Sequence, residues 1–267
     1  MNLLVLQDQK LVDSENSRWT TVDSTKNMEA AKKILVVEDD PAIRNLVHRF
    51  LKSKQNYQIE SAADGSSAMA IFRQFDPDLV ILDINLPDVN GYNLCREMQE
   101  RTKVFVLMLT SQTDQATMLN VLSQGADDYM TKPFDLEELA VRIEVILRRT
   151  RDRQSPDQKS LTFGQLDIDP VRFEVKLDGG LVGLTALEFN LLYFLASHPG
   201  RVWTRADLIR EVWGHEFVGD PRVVDVHIGQ IRKKIEIDTS QPTLIHTVRG
   251  VGYKFEAPPE LGKVPLS

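Results

Sequence analysis

Four short apolar runs in the first half of the chain each stop at a residue that carries chemistry. Ile34–Val37 runs into Glu38, Asp39 and Asp40; Leu79–Leu82 into Asp83; Val104–Leu109 into Thr110; and Tyr129-Met130 into Lys132-Pro133. Between them lie helical stripes such as Ile43, Leu46, Val47, Phe50 and Leu51, which begins just after Pro41, a favoured first helical residue. Strands that alternate with helices build a parallel sheet, and such a sheet binds ligands in the crevice beyond its strand carboxyl ends. The pattern therefore predicts a carboxylate cluster, one hydroxyl and one lysine meeting in one place.

That set suits transfer of a phosphoryl group onto an aspartate. A carboxylate attacks phosphorus poorly unless the charge on the incoming group is neutralised, and Mg²⁺ does this while held by one or two carboxylates plus water and phosphate oxygens. Asp83 is the candidate phosphoacceptor. Glu38, Asp39, Asp83 and the backbone carbonyl of Asn85 are the candidate metal set, with Glu38 acting through a bound water. Lys132 and Thr110 are expected to meet phosphoryl oxygens, and Pro133 is a candidate cis residue that would aim the lysine inward. Tyr129 alone reads as core. Paired with Thr110 it becomes a candidate switch, turning inward as the hydroxyl moves toward the phosphate.

A chain of 267 residues is long enough for two domains with cores of their own. Its one cysteine, Cys95, excludes an internal disulfide framework, and its longest apolar run, Val104–Leu109, is too short to span a bilayer. The first residues make a poor secretory signal, so a cytoplasmic location is expected. Residues 1–31 read as a disordered tail, and a start at Met28 would leave a complete domain behind it. An α/β unit is expected over 32–150, an exposed linker over 151–160, a second domain over 161–256 and a flexible tail over 257–267.

In the second domain Asp178-Gly-Gly180 marks a hairpin turn. Thr185-Ala-Leu-Glu188 and Thr204-Arg-Ala-Asp207 have the form that starts helices, and Asp220-Pro221 starts a third. The third helix has Val224, Ile228, Ile231 and Ile235 as its buried seam, and a hairpin follows over Leu244–Phe255. Three helices closed by a hairpin make a winged helix-turn-helix, a DNA-binding architecture. The net charge is −7, yet residues 222–254 carry a local excess of three positive charges, enough for a nucleic-acid patch on an acidic protein.

The motifs Val-Val-Glu-Asp-Asp, Leu-Asp-Ile-Asn-Leu-Pro-Asp-Val-Asn-Gly, Leu-Thr-Ser and Gly-Ala-Asp-Asp-Tyr-Met-Thr-Lys-Pro-Phe resemble those of a two-component receiver domain. With the winged helix, residues 33–256 resemble an OmpR/PhoB-type response regulator. The resemblance implies a doubly wound five-stranded parallel sheet of flavodoxin-like form, followed by an α+β winged-helix domain. It also implies a sensor histidine kinase that phosphorylates Asp83. It further implies a homodimer formed on phosphorylation through the last two helices and last strand of the receiver, where Asp128, Glu138, Arg142 and Arg149 stand at the family's charged positions. Met118 and Gln124 depart from that pattern and leave Glu138 and Arg142 without their usual mates. The loop 214–219 stands where the family has a loop that contacts RNA polymerase.

Periodicity on the third helix puts Arg222, Val226, Gly229, Gln230 and Lys233 outward, flanked by His227 and Arg232. Arginines there suit guanine edges or phosphates. Val226 suits a thymine methyl, or is an ordinary exposed apolar residue. Thr247 is placed for a phosphate and Arg249, at the hairpin tip, for a minor groove. Relatives carry basic residues where this chain has Gly229-Gln230, which predicts weaker, less salt-dependent binding to direct-repeat duplex DNA. Three other readings stand beside this one. An aspartyl-phosphate enzyme lacks its second aspartate, because position 85 is Asn. A flavin or nucleotide binder lacks a Gly-rich phosphate loop. A regulator that binds DNA constitutively, without phosphorylation, is the nearest alternative.

Overall fold

The computed structural model describes residues 31–54, 57–111, 121–122, 124–152, 159–214, 217 and 220–257, with backbone alone at 148–152. The expected tails lie almost wholly outside these residues, as do most of the linker, Met118 and the Arg149 side chain.

The first half contains β1 (Lys32–Val37), α1 (Pro41–Ser53), β2 (Tyr57–Ala62), α2 (Gly65–Phe75), β3 (Leu79–Asp83), α3 (Gly91–Arg101), β4 (Phe105–Thr110), β5 (Asp128–Thr131) and α4 (Leu136–Asp152). Its five strands pair in parallel in the order β2-β1-β3-β4-β5, so the sheet is doubly wound. β3 and β4 are buried along their whole length, which explains their unbroken apolar sequences: alternate residues feed cores on opposite faces of the sheet. Ile34, Ile81 and Leu107 join Val47 and Ile143 on one side; Leu35, Leu82 and Met108 join Phe72 and Met98 on the other.

Caps set where the helices begin, and so how the loops beside the crevice run. Asp40 Oδ1 accepts from the amides of Ala42 and Ile43 at 2.7 and 3.3 Å, with Pro41 as first residue. The start of α2 is capped twice. Asp64 accepts from Ser67, and Asp88 reaches across from the β3–α3 loop to accept from Gly65 and Ser66 at 2.8 and 2.9 Å. Those amide donors hold the Asp88 carboxyl below its ordinary pKa. Gly91, at the other end of this loop, packs directly on the chain at the foot of Asp83. A Cβ there would overlap the Asp83 carbonyl and sit 2.8 Å from the Ile84 Cα.

The second half opens with an antiparallel sheet in the order β6-β7-β8-β9, formed by β6 (Leu161–Phe163), β7 (Leu166–Asp169), β8 (Glu174–Leu177) and β9 (Gly180–Leu181). The last two strands turn through Asp178 and Gly179, with φ of 52° and 78°, the pairing expected of a tight hairpin. Then come α5 (Ala186–Ala196), β10 (Trp203–Thr204), α6 (Arg205–Leu208), a π-type turn at Ile209–Trp213, α7 (Val223–Ile235), β11 (Ile245–Val248) and β12 (Gly252–Phe255). Both expected helix starts are closed by capping boxes: Thr185 with Glu188, and Thr204 with Asp207. The seam Val224, Ile228, Ile231 and Ile235 is buried against α5. β10-β12-β11 make a small sheet that holds the wing. No helix among the described residues is long and apolar enough to cross a membrane.

Candidate phosphoacceptor site and DNA-reading surface

The ends of β1, β3, β4 and β5 converge as their sequences require. Carboxylate oxygens of Glu38, Asp39 and Asp83 lie within 4.8 Å of one another, with Glu38 and Asp83 buried and Asp39 exposed. Lys132 Nζ sits between two of them, 2.7 Å from Glu38 Oε2 and 2.7 Å from Asp83 Oδ2. The Lys132–Pro133 peptide is cis. The Lys132 amide donates to the Thr110 carbonyl at 2.7 Å, fixing the register of the lysine beside the buried Thr110. Asn85 donates its amide to Asp83 Oδ1 at 3.1 Å, so its own backbone lies next to the acid.

Burial is the main force on Glu38. It pushes the carboxyl up to about 7, reinforced by the Asp83 charge and opposed by Lys132. Glu38 Oε2 is buried and, although close to Lys132, completes no aligned hydrogen bond. Two buried acids, an exposed third and a single lysine leave negative charge only partly compensated. All the donors are oxygen. This set fits a hard divalent cation such as Mg²⁺.

The face made by β5 and α4 is more self-contained than its sequence suggests. Glu138 and Arg142, unmated in the sequence comparison, are each other's partners one turn apart on α4 at 2.8 Å. Arg142 also reaches the buried Asp128 of β5 at 2.8 Å, and the arginine itself is 9% exposed. Tyr129, next along the strand, is half-buried. Burial raises its phenol pKa, with the Asp128 and Asp220 charges adding to this and Arg142 and Arg222 opposing it. The start of the third helix of the second half thus lies within electrostatic reach of the candidate switch. A further link is Lys103, whose Nζ donates to the Leu184 carbonyl.

On α7 the outward side chains sort into two kinds. Val226 and Gln230 are partly exposed, Lys233 is exposed, and a Cβ at Gly229 would meet open space. Arg222 is exposed but held by Asp220, whose two carboxylate oxygens accept from its Nε at 2.9 Å each. Arg232 is bound within the protein, donating to the Ile245 carbonyl and to Thr247 Oγ1. Arg249 is exposed at the hairpin tip. His227 corrects the sequence expectation. It is 1% exposed, with its ring 5.7 Å from that of Trp213, and faces the core rather than the outer surface. The signal was present: residue 227 stands three after Val224 and four before Ile231, which is seam spacing. Sequence reasoning also missed Asp225, whose carboxylate joins Arg205 and Tyr253, because an acid on a presumed DNA face carries no recognisable signal.

Comparison with known proteins agrees with this two-part construction. The family described as response regulator receiver domain matches residues 34–144, and that described as transcriptional regulatory protein, C terminal, matches 179–255. The probable transcriptional regulator ycf27 of Cyanophora paradoxa is 42% identical over 231 residues, covering 84% of this chain and 96% of that protein. The DNA-binding response regulator MtrA of Mycolicibacterium smegmatis is 39% identical over 227 residues, covering 85% and 98%. Among solved structures, a cysteine-to-serine mutant of RitR superposes with a TM-score of 0.74 at 29% identity, covering 85% of this chain and 100% of that one.

Proposed function

The chain belongs to the OmpR/PhoB-type response regulators, transcriptional regulators that join a receiver to a DNA-binding domain, and we propose that phosphorylation of Asp83 by a sensor histidine kinase switches it. The observation that carries this reading is Lys132 Nζ at 2.7 Å from both Glu38 and Asp83, inside a cluster of three acids. An Asp83 oxygen attacks phosphorus as the bond to the kinase imidazole nitrogen breaks, and that nitrogen is left neutral once protonation is balanced. Lys132 exchanges its Glu38 and Asp83 contacts for a phosphoryl oxygen, and the Thr110 hydroxyl donates to another. Glu38, Asp39, Asp83 and the Asn85 carbonyl would hold Mg²⁺, which supplies the charge neutralisation that transfer to a carboxylate requires. Asn85 replaces the acid that a turnover enzyme would use, which supports a phospho-aspartate that persists as a signal.

Movement of Thr110 toward the phosphoryl group opens space for Tyr129 to turn inward, away from the field of Asp220 and Arg222. The receiver then pairs with a second copy, and two winged helices occupy adjacent direct-repeat half-sites about one turn of DNA apart. Two weak modules joined in this way bind far more tightly than either alone.

Selection of genomic DNA fragments by the purified protein, with and without beryllofluoride and Mg²⁺ as a phosphoryl mimic, tests this. Direct-repeat sites enriched only with the mimic are the expected result. Equal enrichment in both conditions would remove Asp83 as the switch, and no enrichment in either would remove the DNA-binding function.

A further inference from the structure

Two polar ties fasten the reading helix to the wing. Near the start of α7, Asp225 Oδ1 accepts from Tyr253 Oη on β12 and from Arg205 Nε at the start of α6, each at 2.7 Å. Seven residues on, Arg232 Nε and Nη2 donate to the Ile245 carbonyl of β11 at 3.0 and 2.6 Å, and Nη2 donates to Thr247 Oγ1 at 2.9 Å. Seven residues are almost two helical turns, about 10 Å of axis, so both ties lie on one face of α7. The Tyr253 ring bridges them: the Arg205 and Arg232 guanidinium carbons lie 5.3 and 5.7 Å from its centroid, within cation–π range.

The wing needs such ties. β11 and β12 are four residues each, and a two-stranded hairpin is marginal alone. Its only other sheet neighbour among the described strands is β10, which pairs with it at just Trp203–Tyr253 and Thr204–Gly252. Arg249 hangs between β11 and β12, so its position relative to α7 is inherited from the anchors at residues 245, 247 and 253. Arg232 also reads differently from a phosphate-seeking cation: burial lowers its pKa, and two of its three guanidinium nitrogens, Nε and Nη2, are engaged within the protein.

We propose that Asp225 and Arg232 are positioning residues that fix the wing relative to the reading helix, so that α7 and Arg249 engage one duplex in a single register. This rests on the DNA-binding reading above. A wing held in advance makes its contact without losing orientational freedom on binding, so Arg249 gains its full effect only while the ties are intact.

The test is a pair of double-mutant cycles in the full-length protein. Duplexes are first selected by the wild type from a random-sequence pool, and the best becomes the probe. Arg249→Ala is then combined with Tyr253→Phe, which keeps the buried ring and removes only the hydroxyl of the Asp225 tie, and separately with Arg232→Gln, which cuts the second tie. Arg249→Ala is expected to weaken wild-type binding about tenfold, but to weaken either tie variant by about threefold or less. Pools re-selected by the tie variants should keep base preference under α7 and lose it at the flank that Arg249 reaches. If the ties serve stability alone, the variants unfold at lower temperature while Arg249→Ala costs about tenfold in every background. That additivity overturns the proposal and leaves the DNA-binding reading standing. A wild type that selects no duplex overturns both.

Discussion

The acid crevice and the reading surface use charge in opposite ways. In the crevice Glu38, Asp83 and Lys132 are withdrawn from water and hold one another, and burial together with the Asp83 charge raises the Glu38 pKa while Lys132 opposes it. On the outer face of α7 Arg222 and Lys233 stand exposed while Arg232 is moored to backbone, and under the proposed DNA-binding function the energy of binding there would come from phosphates outside the protein. Removing Lys132 from the first set leaves two buried acids without their cation, whereas removing one exposed cation from the second is expected to change affinity in small, salt-dependent steps.

The comparison breaks most directly at Asp83. Asp83→Asn should abolish every effect of beryllofluoride and Mg²⁺ on DNA binding while leaving basal binding intact; a response that survives would place the switch elsewhere. Next in size is Gly91→Ala. Its Cβ would press on the backbone that carries Asp83, and a loss of roughly 3 kcal/mol in denaturant unfolding is expected. A cost near zero would show that the β3–α3 loop yields, and that the crevice is less rigid than its burial implies.

Third is the pH dependence of the metal-free protein. Glu38 is pushed up to about 7 from 4.5, so between those values the folded state binds more protons than the unfolded. Stability should therefore fall as pH rises from about 4.5 to 7, by roughly 2 kcal/mol. Glu38→Gln should flatten that segment of the curve, and an unchanged slope would assign it to other groups. The smallest effect belongs to the reading surface. Gly229→Arg places a cation where a Cβ meets open space, and should steepen the slope of log affinity against log salt by about 0.9. An unchanged slope would put residue 229 away from the DNA backbone.

Legibility divides along the same line. The crevice could be read from sequence because a strand-end residue in a parallel sheet has nowhere else to go: Glu38, Asp83, Thr110 and Lys132 follow runs whose burial sets their direction. Helix boundaries in the second half were readable for a similar reason, since Thr185 and Thr204 satisfy amides within three residues of themselves. His227 was misplaced because a helix turns 100° per residue, and a polar ring at the edge of the seam is drawn inward or outward by its neighbours; here the neighbour is Trp213. Glu138 and Arg142 looked unmated because the comparison sought partners on another subunit, while the nearer ones lay one turn away and across on β5.

By itself, the sequence determined the alternation of strand and helix, the convergence of the acids with Lys132, and the starts of the capped helices. All of these follow from periodicity and from bonds between residues close along the chain. Only the tertiary structure decided which arginines are committed within the protein, that Lys132 stands between two acids, and that Asp225 and Arg232 hold the wing. The bonds of Lys132, Asp225 and Arg232 join residues 13 to 94 positions apart, and no local pattern encodes which partner is nearest once the chain has packed.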